Sequence, residues 1–298
     1  MTTALQFTGE RFHPDLAGEM WAEHWHRYHF VLPLIAGKKV LDVASGEGYG
    51  SALMASHAEA VAGVDVSTEA VAHARGIYAR LSNLHFTEGS CAKLPFADGS
   101  FDVVVSFETI EHIHEQEAFL DEIKRVLTPT GLLIMSSPNR VEYSEARGYV
   151  NEFHVRELDR DEFAGLLGSR FAHSQWYGQR NLFVSLITPE QPETRASIGA
   201  QALTLSKAAP DRPLPALPAV YFLAIASNDP ATLNACQPRL SVFNDQEEWA
   251  YNDYRKIYQG SLGSWQREQA LVARCAALEE KIALLEARVA AMPPAAGA

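Results

Sequence analysis

The chain has 298 residues, 47% of them hydrophobic and 10% aromatic, which excludes a wholly disordered protein. Its 25 Lys and Arg residues against 37 Asp and Glu give a net charge of −12, which disfavours nucleic acid as a partner because phosphate backbones would be repelled. The three cysteines are widely spaced, and neither a secretory signal nor a membrane span is recognisable, so we expect a cytoplasmic globular protein.

Residues 1–37 are predicted to form an N-terminal lid region. Its aromatic and cationic stretch favours an amphipathic helix over a ligand pocket, with Arg27 or Tyr28 facing a cofactor or the acceptor substrate and both as candidate substrate contacts. The alternative is a helix whose aromatic side chains only pack into the core.

Strands and helices alternate between residues 38 and 138. Apolar runs predict strands at 38–44, 60–64, 84–87, 101–107 and 132–136, and helical patterns cover 49–56, 68–80 and 110–127. Ser67 or Thr68 is expected to cap the second of these helices. Strands separated by helices indicate right-handed βαβ units, and therefore an α/β fold with a doubly wound, mostly parallel sheet.

Beyond residue 138 the pattern is looser. A helix is predicted at 160–167, and strands at 171–177 and 221–226 would bring the sheet to seven strands. The proline-rich stretch between these two strands is interpreted as an excursion, so that residues 38–230 form one domain. Residues 231–263 are predicted to be a connecting helical segment.

Residues 264–292 are predicted to form a coiled coil, followed by a disordered tail at 293–298. Apolar residues recur at alternating spacings of four and three, as expected for a and d positions: Leu271, Cys275, Leu278, Ile282, Leu285, Val289 and Met292. The g positions are then cationic (Arg274, Lys281 and Arg288), and the e positions are acidic (Glu279 and Glu286). This seam over residues 271–292 predicts a homodimer or docking to another helix, the alternative being a helix packed on its own domain.

A glycine-rich turn follows the first predicted strand, in the sequence DVASGEGYG. Gly46 and Gly48 let a ligand approach the backbone, and the N-terminus of a helix follows. The Gly-x-Gly-x-Gly spacing, with Asp42 four residues upstream, suits a ligand with an ammonium, a carboxylate and a sulfonium better than it suits NAD. Asp65 ends the second strand, where a carboxylate can accept hydrogen bonds from ribose hydroxyls.

These motifs resemble those of class I S-adenosylmethionine (SAM)-dependent methyltransferases. VLDVASGEGYG is similar to the family's first motif, VDVS to its second, EGSCAKLPFADGSFDVVVSFETIEHI to the stretch through the fourth strand, and RVLTPTGLLIMSSPN to the fifth-strand region. The similarity covers roughly residues 10–230 and implies a Rossmann-like methyltransferase fold with SAM as cofactor.

Carried over by position, the resemblance implies which residues hold SAM. The methionine part would lie against the first-strand turn, and the ribose and adenine against the residues after the second to fourth strands. The implied set is Asp42, Ala44, Ser45, Gly46, Gly48, Tyr49, Asp65, Val66, Ser90, Cys91 and Phe107. Many relatives place an aspartate before the Leu-Pro-Phe element, where this chain has Ser90 and Cys91.

The candidate catalytic residues follow the fourth strand. A sugar hydroxyl has a pKa far above 7, so its methylation needs a general base or a metal ion. Glu108, Glu111 and His112 stand at i, i+3 and i+4, and a helix beginning there would place them on one face, with His154 as a fourth group.

This pattern is similar to the metal site of small-RNA 2′-O-methyltransferases. The similarity implies that Glu108, Glu111, His112 and His154 bind Mg²⁺, Mn²⁺ or Zn²⁺ against a diol-bearing sugar. Two alternatives stay open: metal-free catalysis with His154 or His112 as the base and Glu111 beside it, or a purely structural role.

The sequence segments GERFHPD, SFETIEH and NEFHV resemble those of methyltransferases encoded with bacterial surface-glycan enzymes, including those of O-antigen in lipopolysaccharide. That resemblance implies an O-methyltransferase acting on a sugar hydroxyl of a nucleotide-sugar, lipid-linked or polymeric glycan. The alternatives are a methyltransferase of quinones or secondary-metabolite phenols, and a SAM-binding coiled-coil scaffold for glycan-assembly enzymes.

Overall fold

The computed structural model describes residues 18–182, 204–206, 209–214, 217–237, 239–244 and 248–290. It divides the chain into two units, Met1–Phe243 and Asn244–Ala298, so the division falls within the segment predicted to connect the domain to the coiled coil. Most of the proline-rich excursion, the first 17 residues and the predicted tail lie outside the described residues.

The first unit is built on a seven-stranded sheet. Its strands are β1 (Lys39–Val43), β2 (Ala60–Asp65), β3 (Leu84–Glu88), β4 (Phe101–Ser106), β5 (Leu127–Pro138), β6 (His173–Gln179) and, after the hairpin β7 (Thr204–Ser206) and β8 (Ala209–Leu214), β9 (Tyr221–Ser227). The order is β3-β2-β1-β4-β5-β9-β6, and β7 pairs separately with β8. Strands β1 to β5 are parallel, whereas β9 is antiparallel to both of its neighbours. The predicted seven-stranded, mostly parallel sheet is confirmed.

The helices lie between and after these strands. They are α1 (Glu19–Val31), α2 (Tyr49–Ala55), α3 (Thr68–Ile77), α4 (Gln116–Val126), α5 (Arg160–Gly168), α6 (Pro230–Ala235) and α7 (Trp249–Ala290). Ser67 caps α3 by accepting a hydrogen bond from the Ala70 backbone N–H at 3.2 Å.

The prediction of one helix over residues 110–127 is wrong at both ends. Ile110–His112 forms an isolated 3₁₀ turn, α4 begins at Gln116, and β5 begins already at Leu127. Gln116 explains the break, because its side-chain amide donates to the backbone carbonyls of Ile110 (2.8 Å) and Arg156 (3.0 Å) and so binds the turn to a distant loop.

Apolar side chains cover both faces of the sheet. On one face α4 contributes four fully buried residues, Phe119, Leu120, Ile123 and Val126, each stabilising the fold by about 1.5–3 kcal/mol relative to exposure. On the other face Val31 and Ile35, in and after α1, are equally buried. With both faces covered, ligands can approach the parallel strands at the edge formed by their carboxyl ends.

The second unit contains the 42-residue helix α7. Trp249 begins this helix, which runs without a break through residue 263, where the connecting segment was predicted to give way to a coiled coil. Neither α7 nor any other helix in the part of the chain described has the length and apolar character needed to cross a bilayer.

Candidate active site

The loop after β1 turns sharply through three residues in the left-handed region. Ala44, Gly46 and Gly48 have φ angles of 60°, 53° and 82°. A Cβ atom on Gly48 would overlap the ring of Phe86, so both the backbone angle and the packing require glycine there. This turn leads directly into the N-terminus of α2, which directs free backbone N–H groups at the carboxyl edge of the sheet.

Asp42 lies beneath this loop and is buried. Its carboxylate accepts hydrogen bonds from Ser51 Oγ at 2.5 Å and from Tyr28 Oη at 3.4 Å. Burial raises the pKa of Asp42 to about 7, against the opposing effect of these two donors.

Tyr28, expected to contact the substrate, is directed at the cofactor loop. Only 5% of it is exposed, its ring packs where a Cβ on Gly50 would stand, and it meets Phe107 edge to face at 5.0 Å. For this residue the alternative of core packing is the better description. Phe107, one of the predicted cofactor residues, is buried in the same cluster.

The end of β2 combines a fixed carboxylate with an exposed apolar side chain. Asp65 accepts hydrogen bonds from the backbone N–H groups of Gly46 (2.8 Å) and Ser67 (2.9 Å), which join the loops after β1 and β2. Val66, the next residue, is 75% exposed. A carboxylate held beside an open apolar surface fits a ribose with its attached base.

The other predicted cofactor residues surround the same edge. Ser45 is buried, and its Oγ has no hydrogen-bond partner among the described residues, while Tyr49 Oη lies 2.9 Å from His24 Nδ1. Ser90 is exposed and accepts from the Ala92 N–H at 3.2 Å. Cys91 is half-buried, and burial raises the pKa of its thiol. Because β2, β1 and β4 are neighbours, their loops form one continuous cradle.

Glu108 departs from the predicted ligand set. With φ at 50° it ends the strand region in a left-handed turn, so it cannot share a helical face with Glu111 and His112 as predicted. Its Oε1 accepts a hydrogen bond from Ser136 Oγ at 2.6 Å and lies 3.7 Å from Arg27 Nη1.

The structure brings the other three predicted ligands together. One potential ligand atom from each of Glu111, His112 and His154 lies within 4.8 Å of the others. Glu111 is fully buried, and neither of its carboxylate oxygens has a hydrogen-bond partner in the described structure. Burial, and secondarily the nearby Glu108, holds the pKa of Glu111 well above its usual range. An unpartnered buried carboxyl of this kind requires a proton or a cation.

The loop that carries His154 is tied to this turn. The backbone carbonyl of Glu111 accepts from the N–H groups of Val155 (2.7 Å) and Arg156 (3.0 Å). His112 Nδ1 lies 3.0 Å from the Phe153 carbonyl, so Nδ1 carries the proton, and Nε2 lies 3.9 Å from Glu111 Oε1.

His154 is oriented from both sides of its ring. Its Nδ1 donates to Glu157 Oε1 at 2.5 Å, and its Nε2 lies 2.9 Å from Asn151 Nδ2. Tyr143 stacks on the ring at a centroid distance of 5.4 Å. Sequence reasoning missed Glu157, although a carboxylate three residues after a candidate histidine was a signal that could have been used.

Arg27 is buried at the far side of Glu108. Its Nη1 donates to Gln179 Oε1 at 2.8 Å, and its guanidinium lies 4.9 Å from the centroid of the Tyr221 ring. Burial raises the pKa of the neighbouring Glu23 to about 7, although Arg27 opposes this shift. Gln179 and Tyr221 come from the antiparallel strands β6 and β9, and no local pattern could have predicted them.

Comparison with known proteins agrees with this geometry. Residues 41–135 match the family described as "Methyltransferase domain". The chain is 42% identical over 173 residues to a protein of Mycolicibacterium smegmatis named a "Probable S-adenosylmethionine-dependent methyltransferase", and the match covers 56% of this chain and 65% of that protein. A ubiquinone biosynthesis O-methyltransferase of Psychrobacter arcticus is 36% identical over 135 residues, 42% of this chain and 51% of that protein. The chain thus spans less than two thirds of the length of these relatives.

The YcgJ protein of Bacillus subtilis has a similar fold, with a TM-score of 0.52 and 19% identity over 69% of this chain and all (100%) of that chain. The sheet order and the loop after β1 agree with the match of residues 41–135 to a methyltransferase domain. Its core, from β1 into β5, is the part that the family match covers.

Proposed function

We propose that the protein is a SAM-dependent O-methyltransferase that methylates a sugar hydroxyl at a divalent cation held by Glu111, His112 and His154. The observation that carries this proposal is the fully buried Glu111 carboxyl, which has no hydrogen-bond partner among the described residues and lies beside two imidazoles. The sugar acceptor and its place in surface-glycan synthesis follow from the sequence resemblance.

The donor set suits a transition-metal ion. With Glu108 engaged by Ser136, the cluster offers two imidazole nitrogens and one carboxylate, which favours Zn²⁺ or Mn²⁺ over Mg²⁺. The Glu157–His154 hydrogen bond supplies the carboxylate–histidine support that ligating imidazoles have in metal sites.

The proposed chemistry is divided between the loops that would hold SAM and the cluster that would hold the cation. SAM supplies a methyl group on a sulfonium, and a divalent cation lowers the pKa of a hydroxyl that it binds. Asp65 and Val66 would hold the nucleoside, while the loop after β1 would hold the methionine part. Glu157 keeps the His154 ring in one orientation and in the tautomer with the proton on Nδ1, while Asn151 Nδ2 lies 2.9 Å from Nε2.

A second candidate is methylation of a phenol or quinol without metal. Tyr143 stacks on His154, and its ring centroid lies 5.8 Å from that of Tyr149 and 5.6 Å from that of Tyr221. These aromatic side chains would suit a planar acceptor. The relative named as a ubiquinone biosynthesis O-methyltransferase supports this candidate. His154 would then be the general base, since a phenol with a pKa near 10 needs less activation than a sugar hydroxyl.

The test is a matched panel of acceptors. Purified protein is incubated with SAM and either sugar nucleotides and glycans or catechols and quinols, each with and without EDTA, and products are identified by mass spectrometry. The proposal predicts a methylated sugar whose formation stops with EDTA and returns with Zn²⁺ or Mn²⁺. Methylation restricted to phenols and unaffected by EDTA would replace it with the second candidate.

A further inference from the structure

We propose that two copies of this chain associate through α7 as a parallel, in-register, two-stranded coiled coil centred on residues 271–287. This inference is independent of the proposed chemistry, because it rests on the second unit alone. The apolar face that it uses consists of the a and d residues Leu271, Cys275, Leu278, Ile282 and Leu285, called the seam below.

The seam is an exposed apolar stripe on a continuous helix. Trp249–Ala290 is helical without interruption, so spacings of four and three place the seam residues on one face. Leu271, Leu278, Ile282 and Leu285 are among the exposed large hydrophobic residues, and Cys275 is a free, exposed thiol. Contiguous exposed apolar surface of this kind is typical of an association site.

The charges beside the seam fix the direction of the partner helix. The g residues Arg274 and Lys281 are cationic, and the e residues Glu279 and Glu286 are acidic. A parallel partner sets each g residue against the next e residue, pairing Lys281 with Glu286 of the other copy. An antiparallel partner would set cation against cation and acid against acid. Among the described side chains of α7, Lys256 and Asp253 form an ion pair, whereas these four charged residues form none with one another.

The apolar residues fix the number of strands. A β-branched residue at a with leucine at d favours two parallel strands over three or four. The seam has Ile282 at a and leucines at all three described d positions, 271, 278 and 285. The partner with complementary charges and matching a and d residues is therefore a second copy of the same helix.

Disulfide formation at Cys275 tests the register of the two helices directly. Cys275 occupies an a position, and equivalent a residues face each other only in a parallel, in-register pair. Diamide oxidises two facing thiols to one disulfide and is itself reduced to the hydrazine, which takes up the two protons and two electrons. We expect diamide to convert the full chain into a covalent dimer on non-reducing electrophoresis, and Cys275→Ser to abolish that product.

Two neighbouring leucines give a matched pair of variants. Leu285 lies in the seam and is 47% exposed, whereas Leu284 lies at the outer c position and is 60% exposed. Light scattering should give twice 32.8 kDa for the wild type and for Leu284→Lys, and the monomer mass for Leu285→Lys. Because both side chains are exposed, neither variant threatens folding of the helix.

Charge reversal tests the orientation. Lys281→Glu should weaken dimerisation in a dilution series by setting acid against acid, and the double variant Lys281→Glu, Glu286→Lys should restore it. A wild type that stays monomeric at every concentration would overturn the inference. A dimer that does not form the Cys275 disulfide would also overturn it, because its helices would be antiparallel or out of register. Equal effects of the two leucine variants would overturn it as well.

Discussion

Replacing Glu111 with glutamine distinguishes two possible roles of this residue, that of a metal ligand and that of a buried, protonated acid. Without a cation, the raised pKa keeps Glu111 protonated, and an amide of nearly the same shape should change the free energy of unfolding little. With a cation, the substitution removes one of three ligands. Loss of a supporting outer-shell group typically costs 10- to 100-fold in metal affinity, so loss of the ligand itself should cost at least about 100-fold.

That loss translates into a measurable change in stability. Since a ligand that binds only the folded state stabilises it by RT ln(1 + [L]/Kd), a 100-fold weaker Kd removes about 2.7 kcal/mol of the stabilisation by saturating metal. We expect wild-type protein to bind one Zn²⁺ or Mn²⁺ per chain and to melt at a higher temperature with it, and Glu111→Gln to lose both effects. Elemental analysis and thermal unfolding with and without EDTA provide the measurements.

Glu108→Gln is the matched control. It is the neighbouring carboxylate, three residues earlier, but it accepts from Ser136 and faces Arg27 outside the cluster. Its variant should keep the metal-dependent stabilisation. If the wild type shows no metal-dependent stabilisation, or if Glu108→Gln loses it as fully as Glu111→Gln does, the three-ligand assignment is refuted.

Three further predictions concern other parts of the site. Asp65→Ala should weaken SAM binding by about 1–3 kcal/mol in calorimetry, whereas Asp102→Ala, which removes a carboxylate–backbone bond at the amino end of β1, should not. Glu157→Gln should lower kcat about 10- to 100-fold, because His154 loses the anionic acceptor that orients its ring, while SAM affinity stays unchanged. Asp42 has its pKa raised to about 7 by burial, so the folded state holds a proton that the unfolded state loses near pH 4. Stability should therefore fall by on the order of 4 kcal/mol as the pH rises from 4 to 7, and Asp42→Asn should flatten that fall in urea titrations.

The sheet could be predicted because its signals are local. β1 and β4 are short, mostly apolar runs next to turn signals, and both are buried on both faces of the sheet, so their apolar residues are continuous. The predicted start of β5 is five residues too late because Thr128, Pro129 and Gly131 are typical turn residues. The structure nevertheless pairs Phe101 with Leu127 ahead of an irregular register, so the strand begins before the turn residues.

The cluster could be predicted in part, from the closeness of Glu111 and His112 in sequence and from the metal-site resemblance that supplied His154. Glu111 and His112 follow β4 directly, and the helix rule that grouped them with Glu108 failed because Glu108 adopts a positive φ. Its carboxylate is bound to Ser136, 28 residues away, and lies 3.7 Å from Arg27 Nη1 in α1. Helical periodicity cannot anticipate a constraint of that origin.

The buried polar groups explain why α1 belongs to the active site instead of merely covering it. Arg27 is 3% exposed, and an unpaired guanidinium at that depth would cost several kcal/mol, so it requires the anions that face it. Glu108 is one of them, and Ser136 Oγ donates to the same carboxylate oxygen of Glu108. Burial has the larger effect in raising the pKa of Glu111, and Glu108 in turn raises it further. Arg27 thereby links α1 to the cluster, because it pairs with the carboxylate that acts on Glu111 and itself lowers the pKa of Glu111.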